Sequence, residues 1–197
     1  MSELKYKLTE EYIEIGDKKL YRIEALKSFR CVEVGEKGGF IESDSNLDQS
    51  GYAWIYEDAR ISGDARIYGY AQISGNARIY GNARIYGNAQ IYGDAQIYGD
   101  AQIYGDARIS GNARISGNAQ IYGDIWEKSP LQIQGTSYFI NMASKTILKI
   151  GCQASTISYW LEHYKAIGRA NNADEQTINE YYLYIKLAAE LYGTNAT

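Results

Sequence analysis

Side chains able to carry chemistry are few in this chain and evenly spaced. His163 is its one histidine. Proton abstraction from a hydroxyl or amine would fall to that ring, but it stands three residues after Trp160, beside the apolar residues Ile157, Trp160, Leu161, Tyr164 and Ile167. Those five have helical spacing, so His163 reads as a partly exposed structural residue, and no catalytic residue is assigned. Asp94, Asp100 and Asp106 recur at six-residue intervals, each directly after a glycine. Turn chemistry explains them without an ion, and neither a metal nor a cofactor is expected. No Ser–His–acid set, zinc spacing or phosphate-binding glycine loop occurs. Cys31 and Cys152 are far apart in sequence and are read as reduced thiols of a cytoplasmic protein.

The acids belong to a repeat. From Gly63 to Gly123 the pattern G-[D/N]-A-[R/Q]-I-[S/Y] recurs almost without error. Ile falls at every sixth position from Ile55 to Ile121, and Ala precedes most of them by two, as in Ala59, Ala65 and Ala77. Alternation of period two puts Ala and Ile on one side of a short strand, with Arg or Gln and Ser or Tyr facing out. Gly with Asp or Asn suits a corner that needs positive φ. One hexad is then one short side and one corner. No isolated turn could hide its Ile, so the turns must stack.

Hexads with a central aliphatic residue and a small residue two before it resemble the hexapeptide-repeat left-handed β-helix. The resemblance implies three hexads to a triangular coil, hence about four coils for twelve Ile. A second resemblance covers more of the chain. L-Y-R-I-E-A-L-K-S-F (20–29) and V-G-E-K-G-G-F-I-E-S-D-S-N-L-D-Q-S-G-Y-A-W-I-Y (34–56) are similar to the segment leading into the hexads of phage and prophage proteins labelled YdcK-like or polymer-forming. I-L-K-I-G-C-Q-A-S-T-I-S-Y-W (147–160) is similar to their closing Gly-Cys junction, departing from it at Ala154-Ser155. This resemblance implies a fold and a phage origin but no activity. Many hexapeptide-repeat proteins are acyltransferases, which need a base and carry an excursion loop. The hexads here hold neither, so an enzyme is not expected.

With eighteen residues to a lap, Tyr68, Tyr86, Tyr104 and Tyr122 align in one column, and Arg66 and Arg84 run beside it with Gln102 and Gln120. The other two columns mix Tyr and Ser. Tyr is a good strand residue that stacks along a sheet. The same residues, Tyr68, Tyr86, Tyr104, Tyr122, Arg66 and Arg84, are also the candidate binding face, since Tyr and Arg dominate interface hot spots.

The chain is expected to divide into a β cap (1–50), a mainly β single-stranded coil (51–124) and an α+β subdomain (125–197). Strands are predicted around Tyr6–Ile15, Leu20–Leu26, Leu131–Ile133 and Tyr138–Ile150. Ile41, Leu47 and Ile55 lead into the coil, with an eight-residue step at the last that predicts a bulged corner. Two helices should close the chain, the second from an Asp174 cap to Gly193. This second helix is apolar nearly all round. It is either wedged between the coil and its own subdomain or offers Leu183, Tyr184, Leu187 and Leu191 as a homodimer interface.

The balance of 20 basic and 24 acidic residues, net −4, argues against duplex nucleic acid and anionic membrane as partners. The start M-S-E-L-K-Y-K-L lacks an apolar signal core. The expected function is a non-catalytic, phage-type protein that docks a host protein, such as a component of host defence. The alternatives are sequestration of a nucleotide-like small ligand, acyl transfer, and a self-assembling scaffold.

Overall fold

The computed structural model describes residues 4–193. The chain forms two compact units. One runs to Asn118 and includes Tyr122–Ser129; the other comprises Ala119–Ile121 and the chain from Pro130 onward.

In the first unit each repeat makes a two-residue strand of Arg or Gln followed by Ile, such as Arg66–Ile67 and Arg84–Ile85. Strands eighteen residues apart pair in parallel, so Ile67 lies over Ile85 and Ile85 over Ile103. Three columns of strands result, and the fold is a mainly β solenoid. The Ile and Ala side chains of its hexads are at most 1 % exposed. Each Ile contributes roughly 1.5–3 kcal/mol on burial. The corner glycines take φ near +70°, as at Gly87 (+69°), where a Cβ would come within 2.8 Å of the Gly105 nitrogen. Corner amides and acids also stack. Asn76, Asn82 and Asn88 donate to Asp94, Asp100 and Asp106 one lap on, at 3.2, 2.9 and 3.0 Å. The three acids are thus spread over three corners and tied to amides.

The stack has about five laps where the twelve Ile predict four. Non-repeat residues supply the difference. Ile41 pairs with Ile61 and Leu47 with Ile67, completing a first lap with Ile55, and Trp126 takes the Ile position over Ile109 at the far end. Only side-chain size and direction matter to a rung, so residues outside the pattern can complete it.

The cap is a hairpin of β1 (Tyr6–Ile15) and β2 (Lys18–Ala25), with β2 paired antiparallel to β3 (Lys37–Ile41) and β3 parallel to Arg60–Ile61. Hydrogen bonds flanking each rung run from an N–H to the carbonyl seventeen residues on, as from Arg60 to Ala77. Carbonyls of the first lap have no lap before them, and a buried carbonyl without a donor is costly. Side chains fill the role. Lys5 Nζ donates to Ala53 O at 2.9 Å and the Tyr6 hydroxyl donates to Leu47 O at 2.7 Å; in the second lap Asn46 Nδ2 does the same for Gly63 O and Ala65 O.

The second unit holds an antiparallel sheet of Gln132–Gln134, Phe139–Met142, Ile147–Ile150 and Gln153–Thr156. The continuous strand expected over Tyr138–Ile150 is broken at 143–146, where Ser144 Oγ accepts from Ile147 N in a turn. Helix α1 (Ile157–Ala170) starts at a Thr156 cap, and α2 (Glu175–Tyr192) at Asp174, whose carboxylate accepts from Thr177 N at 2.7 Å. α2 buries Ile178, Tyr181, Ile185 and Ala188. Leu183 and Leu191 are 64 % and 56 % exposed and Leu187 is 39 % exposed. Within its unit only one of the two apolar sides of α2 is covered.

Candidate functional site

Eighteen-residue pairing places the four tyrosines as the spacing requires. Ring centroids of Tyr68, Tyr86 and Tyr104 are 5.0 and 5.1 Å apart with planes within 8° of parallel, and Tyr122 follows at 5.6 Å with a 35° tilt. All four are half-buried. Burial holds the hydroxyls of Tyr68, Tyr104 and Tyr122 above the usual phenol pKa; for Tyr68 the nearby Arg84 and Arg66 work in the opposite direction. Rings at this spacing already touch face to face, so no nucleobase fits between them. The column offers ring edges and hydroxyls outward.

Arg66 and Arg84 sit side by side in register, both exposed. Among the described residues, neither guanidinium has a hydrogen bond or ion pair within the chain. They border a shallow depression of about 720 Å³ together with Tyr68, Asp44, Asp48 and Gln49. The last three were not singled out from the sequence. For Asp48 and Gln49 the signal is the long step from Leu47 to Ile55, which leaves residues 48–51 outside the hexad pattern; Asp44 has none. The candidate face thus has a cationic centre with an acidic rim at its Tyr68 end, and only tyrosine and glutamine at Tyr104.

The remaining candidates lie in the second unit. Leu183, Leu187 and Leu191 share one exposed side of α2, and Tyr184 is half-buried with its hydroxyl donating to Glu180. His163 is on α1. Its ring stacks on Tyr159 at 4.1 Å, and Nδ1 donates to the Tyr159 carbonyl at 3.0 Å. The unit also holds an apolar cavity of about 80 Å³ between sheet and helices, lined by Tyr138, Ile150, Trp160, Tyr164, Ile178 and Tyr181 among others. Among the described residues, no cluster of three or more His, Cys, Asp or Glu could hold a metal ion. No helix of the described residues is long and apolar enough to cross a membrane.

Comparison with known families bears on the coil. The model of the YdcK beta solenoid repeat matches residues 59–75, 71–87, 77–93, 101–117 and 107–123. The coil is similar to the YdcK repeat. The match supports a YdcK-like repeat protein over residues 59–123 and does not extend to the cap or to the chain from Pro130 onward. No curated protein matches the chain.

Proposed function

We propose that this is a non-catalytic binding protein of phage type, built on a left-handed hexapeptide coil, that docks a host protein through its tyrosine–arginine face. The observation that carries the reading is the pair Arg66 and Arg84, in register, exposed and without an acceptor, beside half-buried tyrosines. Like charges placed directly opposite each other in a sheet are destabilising, and an acidic partner surface would relieve them. Tyr and Arg at the centre of such a contact carry much of the binding energy. A component of host defence is the partner class this reading favours. The proposed compartment is the cytoplasm, supported by two exposed, unpaired cysteines, Cys31 and Cys152. The exposed leucines of α2 are proposed as a self-association surface. Sequestration of a nucleotide-like ligand is the second reading, favoured by the depression around Arg66, Arg84 and Tyr68 but limited to its rim by the closed ring stack. A self-assembling scaffold is weaker, since Lys5 and Tyr6 already occupy first-lap carbonyls.

The test is capture from host extract by wild type and by Arg84→Glu/Tyr86→Ser, checked first for equal thermal stability. Serine already fills the equivalent slot at Ser74 and Ser110, so the fold should tolerate it. A host protein retained by wild type and lost by the variant is expected. Equal capture by both removes the face from the function.

A further inference from the structure

A second pair of guanidiniums lies on another column of the coil. Arg60 and Arg78 are Cα partners on adjacent rungs, roughly 4.8 Å apart along the sheet. Arg60 is half-buried and Arg78 exposed. Among the described residues, neither has a hydrogen bond or ion pair. Basic residues of the cap differ in this respect. Lys7 pairs with Glu24, Lys19 with Glu14, Lys37 with Glu11, and Arg22 with Glu11 and Asp58. Lys18 is held by Glu42, which also accepts from Gly63 N. Acids are therefore abundant near this pair, and none serves it.

The two arginines line a groove of about 430 Å³ with Ile15, Lys18, Leu20, Tyr80 and Gln96, and no acidic residue takes part in the lining. On the hairpin side its apolar surface is Ile15, 42 % exposed, beside the Glu42-paired Lys18; Tyr80, itself 38 % exposed, is backed by Tyr98 at 5.1 Å. Two stacked forks that present donors without an acceptor match the oxygens of one oxyanion. The apolar wall matches a hydrocarbon or ring attached to it.

We infer that the Arg60–Arg78 groove binds a small molecule with a carboxylate or phosphate head and an apolar body. The site is on a different column from the tyrosine face and stands independently of the docking role. An oxyanion between the forks would convert a repulsive pair into a bridged one, so its effect has two separable parts: the ligand stabilises the protein, and loss of one arginine stabilises the protein without ligand.

Thermal unfolding and calorimetry on the full chain at low salt test this with four probes: octanoate, phenyl phosphate, 1-octanol and inorganic phosphate. Octanoate or phenyl phosphate should bind one per chain and raise the melting temperature, more than the headless octanol or the bodiless phosphate. Which of the two binds identifies the head. Arg78→Gln, a residue the same slot carries at Gln96, should melt higher than wild type without ligand and bind roughly tenfold or more weakly. Arg108→Gln, on the third column where Gln90 already fills the paired slot, should bind as wild type does. Binding of neither amphiphile, an equal shift in Arg78→Gln, or a lower melting temperature for ligand-free Arg78→Gln would each overturn the inference.

Discussion

Lys5 gives the protein a stability profile whose slope can be measured. Its side chain is 1 % exposed and its Nζ donates to the Ala53 carbonyl at 2.9 Å and the Ser50 carbonyl at 3.4 Å. Burial lowers its pKa from 10.5 to about 8; nearby Asp48 resists the change and Lys27 adds to it. The unfolded chain holds this proton up to the ordinary value, whereas the folded chain releases it from about pH 8. Between those limits the unfolded state binds more protons, so stability rises with pH. At roughly 1.4 kcal/mol per unit, the full rise is about 3 kcal/mol. Lys5→Met removes the titration and leaves the Ala53 carbonyl without a donor, a cost of about 1–3 kcal/mol. Near neutral pH these effects should nearly cancel, so the slope is the informative quantity. Urea unfolding in steps from about pH 7 to 9, below the range where the tyrosines ionise, should show the wild type gaining about 1–2 kcal/mol and the variant staying level. A level wild type, or a variant that climbs equally, refutes the account of Lys5 as a buried cation serving first-lap carbonyls.

Three further outcomes are expected. Above about pH 10 the trend should reverse: burial raises the hydroxyl pKa of Tyr6, Tyr68, Tyr80, Tyr104 and Tyr122, so the unfolded chain loses those protons first and stability falls as pH climbs; phenolate absorbance and circular dichroism, followed together, should show ionisation of the coil tyrosines coinciding with unfolding. Gly87→Ala sets a Cβ at positive φ and within 2.8 Å of Gly105 N, and should cost about 2 kcal/mol or more in a urea titration. Leu187→Glu/Leu191→Glu should halve the mass seen by light scattering if α2 pairs two copies; an unchanged mass with an intact fold removes that interface.

Legibility from sequence followed the degree to which one residue type answers one geometric need. Ile at every sixth place could only be an inward row, and Tyr68 over Tyr86 over Tyr104 followed from the lap length. The first lap was harder to read, because Phe40-Ile41 and Asn46-Leu47 lack the Ala-x-Ile pattern that Ala53-Trp54-Ile55 keeps; each satisfies a rung through size and direction alone. Lys5 was missed as a buried residue because a lysine near a chain start reads as solvated, and only the free carbonyls of the first lap explain its place. Asp44, Asp48 and Gln49 were missed for a related reason, since a loop between rungs has no period. In the second unit the Asp174 cap was legible from its type. The turn at 143–146 was not, because Ala-Ser-Lys-Thr contains neither Gly nor Pro.

The eighteen-residue lap limits how a chain of this kind can change length. Whole laps can be gained or lost with every outward residue keeping its neighbours. Deleting a single hexad between Tyr68 and Tyr86 would bring Tyr92 and then Ser110 into line beneath Tyr68, ending the aromatic row after two rings. Slippage during replication of so repetitive a gene would therefore be tolerated in units of three repeats and exposed to selection in units of one.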